Sequence, residues 1–433
     1  MEEKKIDEKG KTTSSSSSSK RGRRRSEEAG DDTSWKRIER EREVNEIANN
    51  DVLEEIMVRL PVKSLLKFQT VSKHWKHTIK SSRFFRERHM LHNKTLEPKF
   101  LNFYEDRSLD RSNTVLTTMR LEWSSTCLVE EEDYYTSYER GERNVLVSES
   151  VDGLFCIYNC DFTRPIIVIN PAMRWSQTLP LAKVQLEHSS DSNKKKLPYL
   201  GFGKDYVTGM YKLVWLQSIN DNNTLTACEV FDFGSKQWRQ VIPPPHGHQT
   251  IYKRGSTFAN GWLYWASRDK TKFVAFDLHM EMFRVVENPI FTNEASSLSS
   301  VYSMDSIDDD RPLVWISEIK GDGMQQVWRV TNQNRGGALL KIDKIFSLDL
   351  NKINSTWFES PRSSISSLYP VAISKNGDKV IFSSDAKHDS QNLLLFQSLN
   401  RTSIHNGIFS YSSSRPSTDS CLIPYFPSLV SPF

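Results

Sequence analysis

The chain has 433 residues, 37% hydrophobic, 11% aromatic and 26% charged, which suits one small domain plus one large one and excludes wholesale disorder. Its 58 Lys and Arg against 54 Asp and Glu leave a net charge of +4, so a general nucleic-acid binder with a dominant basic face is not expected. No run of 18 apolar residues and no apolar leader occurs, so no membrane partner is expected and the chain reads as nuclear or cytoplasmic.

Residues 1–42 form a Ser/Arg-rich head with almost no core-forming side chains. Ser14 to Ser19 have little to bury and much backbone entropy to lose, so the head is expected to stay unfolded. Lys20, Arg21, Arg23, Arg24 and Arg25 then place five positive charges in six positions. Two readings of this cluster stand: a nuclear-import or polyanion-binding patch, or a solubilising tail. Acidic Glu2, Glu3, Glu27, Glu28, Asp31 and Asp32 nearly cancel it.

Residues 43–90 show a helical period. Asn50 or Asp51 can cap a first helix, with Glu54 at the spacing of a capping box. Val52, Leu53, Ile56, Met57 and Leu60 fall along one side. Pro61 ends that helix and opens a second over Val62 to Phe68. Thr70 or Ser72 starts a third that holds Val71, Trp75 and Ile79, and Phe84-Phe85 closes the unit. Three helices this short cannot bury all their Leu, Ile, Phe and Trp side chains among themselves. Either they dock on the rest of the chain or they offer a face to another protein.

The run from Asp51 to Trp75 carries Leu60-Pro61-Val62-Lys63-Ser64-Leu65, then Phe68, then Val71-Ser72-Lys73 and Trp75. In this order it resembles an F-box of the form common in plant proteins. The resemblance implies a three-helix module that binds a Skp1-like adaptor and, through it, a cullin. It implies adaptor contacts at Val52, Leu53, Ile56, Leu60, Pro61, Leu65 and Val71. Trp75 is implied as a core-locking residue with part of its surface toward the adaptor. Ala48 and Asn49 stand where the family has an apolar residue and a proline, which weakens the expected contact at the first turn.

Residues 91–400 read as a large all-β domain. Strands are expected at 145–147, 153–158, 165–169, 211–216, 228–233, 262–265, 273–276, 313–316, 326–330, 379–382 and 393–396, each rich in β-branched and aromatic residues. Val230-Phe-Asp-Phe-Gly-Ser-Lys-Gln-Trp238 repeats as Val274-Ala-Phe-Asp-Leu-His-Met-Glu-Met-Phe283, with an aromatic six places after the aspartate. Ile167 to Trp175 is a shorter variant, and Asp152-Gly153 pairs with Asn260-Gly261. The spacing predicts a kelch-like β-propeller whose repeat aromatics pack between sheets, with a solenoid or two irregular sandwiches as alternatives. Ser- and Asn-rich stretches at 181–198, 289–312 and 400–420 are expected as long loops, and so is acidic Glu130 to Asp133. Residues 401–433 form a tail in which Tyr425-Phe-Pro427 pins the terminus, closing the ring.

Asn170-Pro171 through Trp175, Leu200 to Tyr206 before Tyr211 to Val214, and Val230-Phe231-Asp232 through Trp238 resemble the F-box-associated domain of plant F-box proteins. That resemblance implies recruitment of a substrate protein and no catalysis.

No cofactor or metal is expected. Cys127, Cys156, Cys160, Cys228 and Cys421 are few and odd in number, which argues against a disulfide framework. Cys156 and Cys160 lack a matching His or Cys pair, His246 and His248 follow a Pro run on an expected loop, and Leu200-Gly-Phe-Gly-Lys204 lacks the full phosphate-cradling motif. The favoured reading is a non-catalytic, substrate-recruiting subunit of an SCF-type (Skp1-cullin-F-box) E3 ubiquitin ligase. The alternatives are a propeller-fold enzyme, whose Cys, His and Tyr ligand cluster is not found, and a scaffold with a vestigial F-box.

Overall fold

The computed structural model describes residues 36–37, 39–40, 50–106, 113–122, 127–136, 145–159, 164–186, 198–218, 225–243, 255–267, 271–288, 290, 298–304, 313–332, 340–357, 367–373, 379–384, 392–399, 403–410 and 421–432. By internal contacts the chain divides into Met1–Met57 and Val58–Phe433. In the first unit, residues 36, 37, 39 and 40 are helical, inside the head expected to lack structure. Lys36, Arg37, Glu39 and Arg40 are straight-chain helix formers, so local propensity offsets the polar composition there. Helix α1 (50–58) follows.

The second unit begins with three further helices. Pro61 precedes α2 (Val62–Phe68), and its carbonyl accepts from Ser64 N at 2.9 Å and Leu65 N at 3.1 Å. Ser72 caps α3 (Lys73–Ser81) by accepting from Trp75 N at 3.1 Å. Val71, expected within this helix, instead lies in the turn before the cap. Ser82 caps a fourth helix, α4 (Arg83–Lys94), accepting from Phe85 N at 3.2 Å. This helix replaces the expected closure at Phe84-Phe85. Phe85, His89, Met90 and Asn93 recur along one side of it and are buried, which gives it a face to pack.

The β domain consists of six four-stranded antiparallel sheets among the described residues. The first holds β1 (Lys99–Asp106), β2 (Asn113–Glu122) and β3 (Cys127–Thr136). The second holds β4 (Val145–Val147), β5 (Phe155–Asn159), β6 (Ile167–Asn170) and β7 (Trp175–Thr178). The third holds β8 (Pro198–Lys204), β9 (Tyr211–Ser218), β10 (Leu225–Asp232) and β11 (Gln237–Val241). The fourth holds β12 (Thr257–Ala259), β13 (Trp262–Ala266), β14 (Lys272–Asp277) and β15 (Met282–Glu287). The fifth holds β16 (Leu298–Met304), β17 (Leu313–Ile319), β18 (Met324–Asn332) and β19 (Leu340–Asp349). The sixth holds β20 (Leu368–Ile373), β21 (Lys379–Ser384), β22 (Asn392–Leu399) and β23 (Ser403–Ser410). The fourth strand of the first sheet is β24 (Cys421–Tyr425), which pairs with β1 in the register Leu101 to Ile423.

Apolar cores fill the space between each sheet and the next. Leu101, Leu116 and Tyr425 meet Phe155, Ile157 and Ile169 between the first two sheets. Val168, Trp215, Val230 and Trp265 join the second, third and fourth. Phe273 meets Ile316 and Val330, and Trp315 meets Leu368 and Phe382. Ala372 and Ile381 of the sixth sheet then meet Phe100 and Leu422 of the first. The ring therefore closes on itself as a β-propeller, with sheet edges kept short.

The repeat has a local cause. Asp232 Oδ1 accepts from Gly234 N at 2.7 Å and Ser235 N at 3.1 Å; Asp277 Oδ1 accepts from His279 N at 2.8 Å and Met280 N at 3.0 Å. Each four-residue turn ends in a left-handed residue, Lys236 or Glu281, before the outer strand. The aromatics Trp175, Trp238 and Phe283 are half-buried and pack on the core shared by the second to fourth sheets. Asp152-Gly153 and Asn260-Gly261 have positive φ at both positions, the signature of two-residue type I′ hairpins.

Three of the stretches expected as loops contain regular structure. The stretch 289–312 contains β16, 400–420 contains β23, and 181–198 contains the short helix α5 (Lys183–Leu186). Glu130 to Asp133 lies within β3. Strand formation here follows from ladder pairing with a neighbour, which overrides a polar composition. One more helix, α6 (Leu350–Trp357), follows β19.

Candidate functional site

The residues implied as adaptor contacts divide by burial. In the first unit, Val52 is 60% exposed and Ile56 51%, with Leu53 also exposed. In the second, Val71 is 62% exposed, Pro61 is exposed and Leu60 is half-buried. Leu65 differs from expectation: it is fully buried, because α2 turns Val62 and Leu65 into the core. It supports the module from inside and has no surface to offer. Trp75 is half-buried and meets Phe68 edge-on at 5.4 Å between ring centroids, which locks α2 to α3. Ala48, Asn49 and the basic cluster Lys20, Arg21, Arg23, Arg24 and Arg25 lie outside the described residues.

Sequence reasoning missed a second constellation, where α2–α4 rest on the propeller. α2 lies against the 3-10 turn Pro171–Met173, and the Arg83 guanidinium lies over Gly209. At the other end of α4, Lys94 Nζ stands 3.5 Å from Asp152 Oδ1. Asp152 Oδ2 also accepts from Lys204 Nζ at 3.0 Å and from the Tyr211 hydroxyl at 2.8 Å. Burial alone would raise the Asp152 pKa, but Lys94, Lys204 and the two hydrogen bonds hold it below the ordinary carboxylate value. The same burial, with the Asp152 charge, pushes the Tyr211 hydroxyl well up. Asp152 was legible as a turn residue; its partners Lys94 and Lys204 carry no local signal.

On α4, buried His89 places Nε2 2.9 Å from the Leu60 carbonyl, and Asn93 Nδ2 donates to the Pro427 carbonyl at 2.7 Å. Burial lowers the His89 pKa, partly offset by that backbone hydrogen bond, so the ring is neutral and donates through Nε2.

Asp205, one of the residues of the F-box-associated resemblance, is 1% exposed. Its carboxylate accepts from Val207 N at 2.9 Å and Thr208 Oγ1 at 2.7 Å, and His279 Nδ1 lies 3.2 Å away. It pins the β8–β9 turn and ties the third sheet to the fourth. Cys156 and Cys228 are free and buried, and burial pushes both thiols up, which leaves them protonated and poor nucleophiles. This chemistry holds a fold together and presents apolar surface on the helices.

Comparison with known proteins agrees with this arrangement. The profile described as F-box associated beta propeller domain matches residues 108–432, and that of the F-box domain matches residues 49–87. An F-box protein of Arabidopsis thaliana is 31% identical over 413 residues, covering 90% of this chain and 86% of that one. A second Arabidopsis F-box protein is 33% identical over 348 residues, covering 72% and 83%. An Arabidopsis F-box/LRR-repeat/kelch-repeat protein is 32% identical over 318 residues, covering 71% and 78%. The chain belongs to the plant F-box proteins that carry an F-box-associated β-propeller domain.

Proposed function

We propose that this chain is the substrate-recruiting subunit of an SCF-type E3 ubiquitin ligase. Its F-box binds a Skp1-like adaptor and thereby a cullin, and its propeller holds the substrate protein. The observation that carries this reading is the exposure of Val71 in the second unit, where the helical residues Leu65, Ile79 and Phe85 are fully packed; in the first unit Val52 and Ile56 are exposed in their own right. Large apolar side chains left outside a complete core fit a partner-binding surface. In this role the chain raises the rate of ubiquitin transfer by holding an acceptor lysine near the charged enzyme.

The test is co-purification of the full chain with a Skp1-like adaptor and its cullin, beside Val71→Asp and a Val52→Asp/Ile56→Asp double variant. These exposed sites leave folding intact, checked by circular dichroism. Adaptor binding is expected to fall by at least tenfold in each variant. A folded wild-type chain that fails to bind overturns the reading in favour of a scaffold, and variants that bind normally overturn the assigned surface.

We further propose that Lys20, Arg21, Arg23, Arg24 and Arg25 direct nuclear import. Replacing all five with alanine in a fluorescent fusion is expected to shift the protein to the cytoplasm, and an unchanged distribution would assign them to solubility instead.

A further inference from the structure

After the ring-closing strand β24 the chain continues as a segment, 426–432, that belongs to no sheet. Such a segment must find hydrogen-bond partners outside a ladder, and here side chains supply them. Asn93 of α4 donates to the Pro427 carbonyl at 2.7 Å. Asn170, the cap of the 3-10 turn beneath α2, donates to the Ser428 carbonyl at 3.1 Å and the Val430 carbonyl at 2.9 Å. Ser428 Oγ donates to the Asp152 carbonyl at 2.5 Å, and the Asp152 side chain faces Lys94 of α4. Ser428 and Leu429 are almost wholly buried. The segment is thus tied to a helix more than 330 residues earlier and to two turns of the second sheet.

We infer that residues 426–432 act as a strap that fixes α2–α4 in one orientation on the propeller, with Asn93 as its positioning residue on the helical side. The strap follows directly from β24, so helix orientation becomes dependent on a closed ring. A ring opened at β24 would free the strap and release α4 with it. Under the ligase reading, on which this consequence rests, a fixed orientation sets which lysines come within reach of the charged enzyme.

The test uses the full chain with Asn93→Ala, which leaves the Lys94–Asp152 ion pair, β24 and its pairing with β1 untouched. A second variant, Asn170→Ala, loosens the strap from the propeller side. Hydrogen exchange is read separately in α4 and in β24. In both variants, amides of 83–94 are expected to exchange at least tenfold faster while those of 421–425 keep their wild-type rate. Equal acceleration in both regions, or in neither, overturns the strap.

A second readout is the pattern of lysines modified on the chain itself in a reconstituted ligase, mapped by mass spectrometry. Adaptor affinity within twofold of wild type with a changed set of modified lysines is expected. An unchanged set alongside faster α4 exchange overturns the positioning role. No modification of the wild type overturns the ligase reading, and the exchange experiment judges the strap independently of it.

Discussion

Lys212 Nζ lies 2.7 Å from Glu281 Oε1, and the two residues belong to adjacent sheets of the propeller. Lys212 also donates to the Leu278 carbonyl at 2.5 Å and lies 3.8 Å from Asp205 Oδ2. Arg239 forks onto the same Glu281 carboxylate from the third sheet. The third and fourth sheets are therefore joined by charge as well as by the apolar core of Leu213, Trp215, Leu263 and Trp265.

Removing Lys212 takes one of two cations from the Glu281 carboxylate, which keeps Arg239. Lys212→Met is expected to cost about 1–2 kcal/mol, and Lys212→Met/Glu281→Gln clearly less than the sum of the two single changes. Urea unfolding of the three variants checks this. Strict additivity would mean that the pair contributes nothing as a pair.

Asp152 gives an acid-sensitive contribution with a definite sign. Its folded pKa is below the unfolded value, so its stabilisation is complete above the ordinary carboxylate pKa of about 4 and is lost as pH falls through the depressed folded value. Asp152→Ala should lower the melting temperature at pH 6, and the gap from wild type should shrink below pH 4. A gap that stays constant to pH 2.5 would contradict the charge assignment.

His89 works at higher pH. Its folded pKa is lowered, so the unfolded chain binds a proton first and the His89 contribution falls as pH drops below about 6.5. Between pH 7 and 5, the wild-type melting temperature should decline more steeply than that of His89→Gln, which keeps a donor for the Leu60 carbonyl. Parallel slopes would remove His89 from the account.

The two type I′ turns should tolerate substitution unequally. A Cβ at Gly153 would stand 2.7 Å from the Phe426 carbonyl oxygen, whereas at Gly261 the nearest atom is a Tyr206 ring carbon at 3.5 Å. Gly261→Ala carries only the left-handed backbone penalty, about 1–2 kcal/mol. Gly153→Ala should exceed it by about 1 kcal/mol or more, because the carbonyl it meets belongs to the strap. Chemical denaturation of both variants gives the ranking.

Local chemistry determined much of this protein. Pro61 and Ser72 set helix boundaries, Asp232 and Asp277 close their hairpins by accepting from the next backbone amides, and Asp152-Gly153 and Asn260-Gly261 form two-residue turns. Each depends on neighbours within a few residues, so the F-box and the repeating hairpins are legible without coordinates. Tertiary structure decided the rest. Leu298–Met304 and Ser403–Ser410 are serine-bearing strands because neighbouring strands supply their hydrogen bonds. Leu65 is core rather than contact because of the direction in which α2 packs. Asp152 draws Lys94 and Lys204, and Asn93 meets Pro427, because burial of polar groups selects partners by position in space, across up to 334 residues of chain.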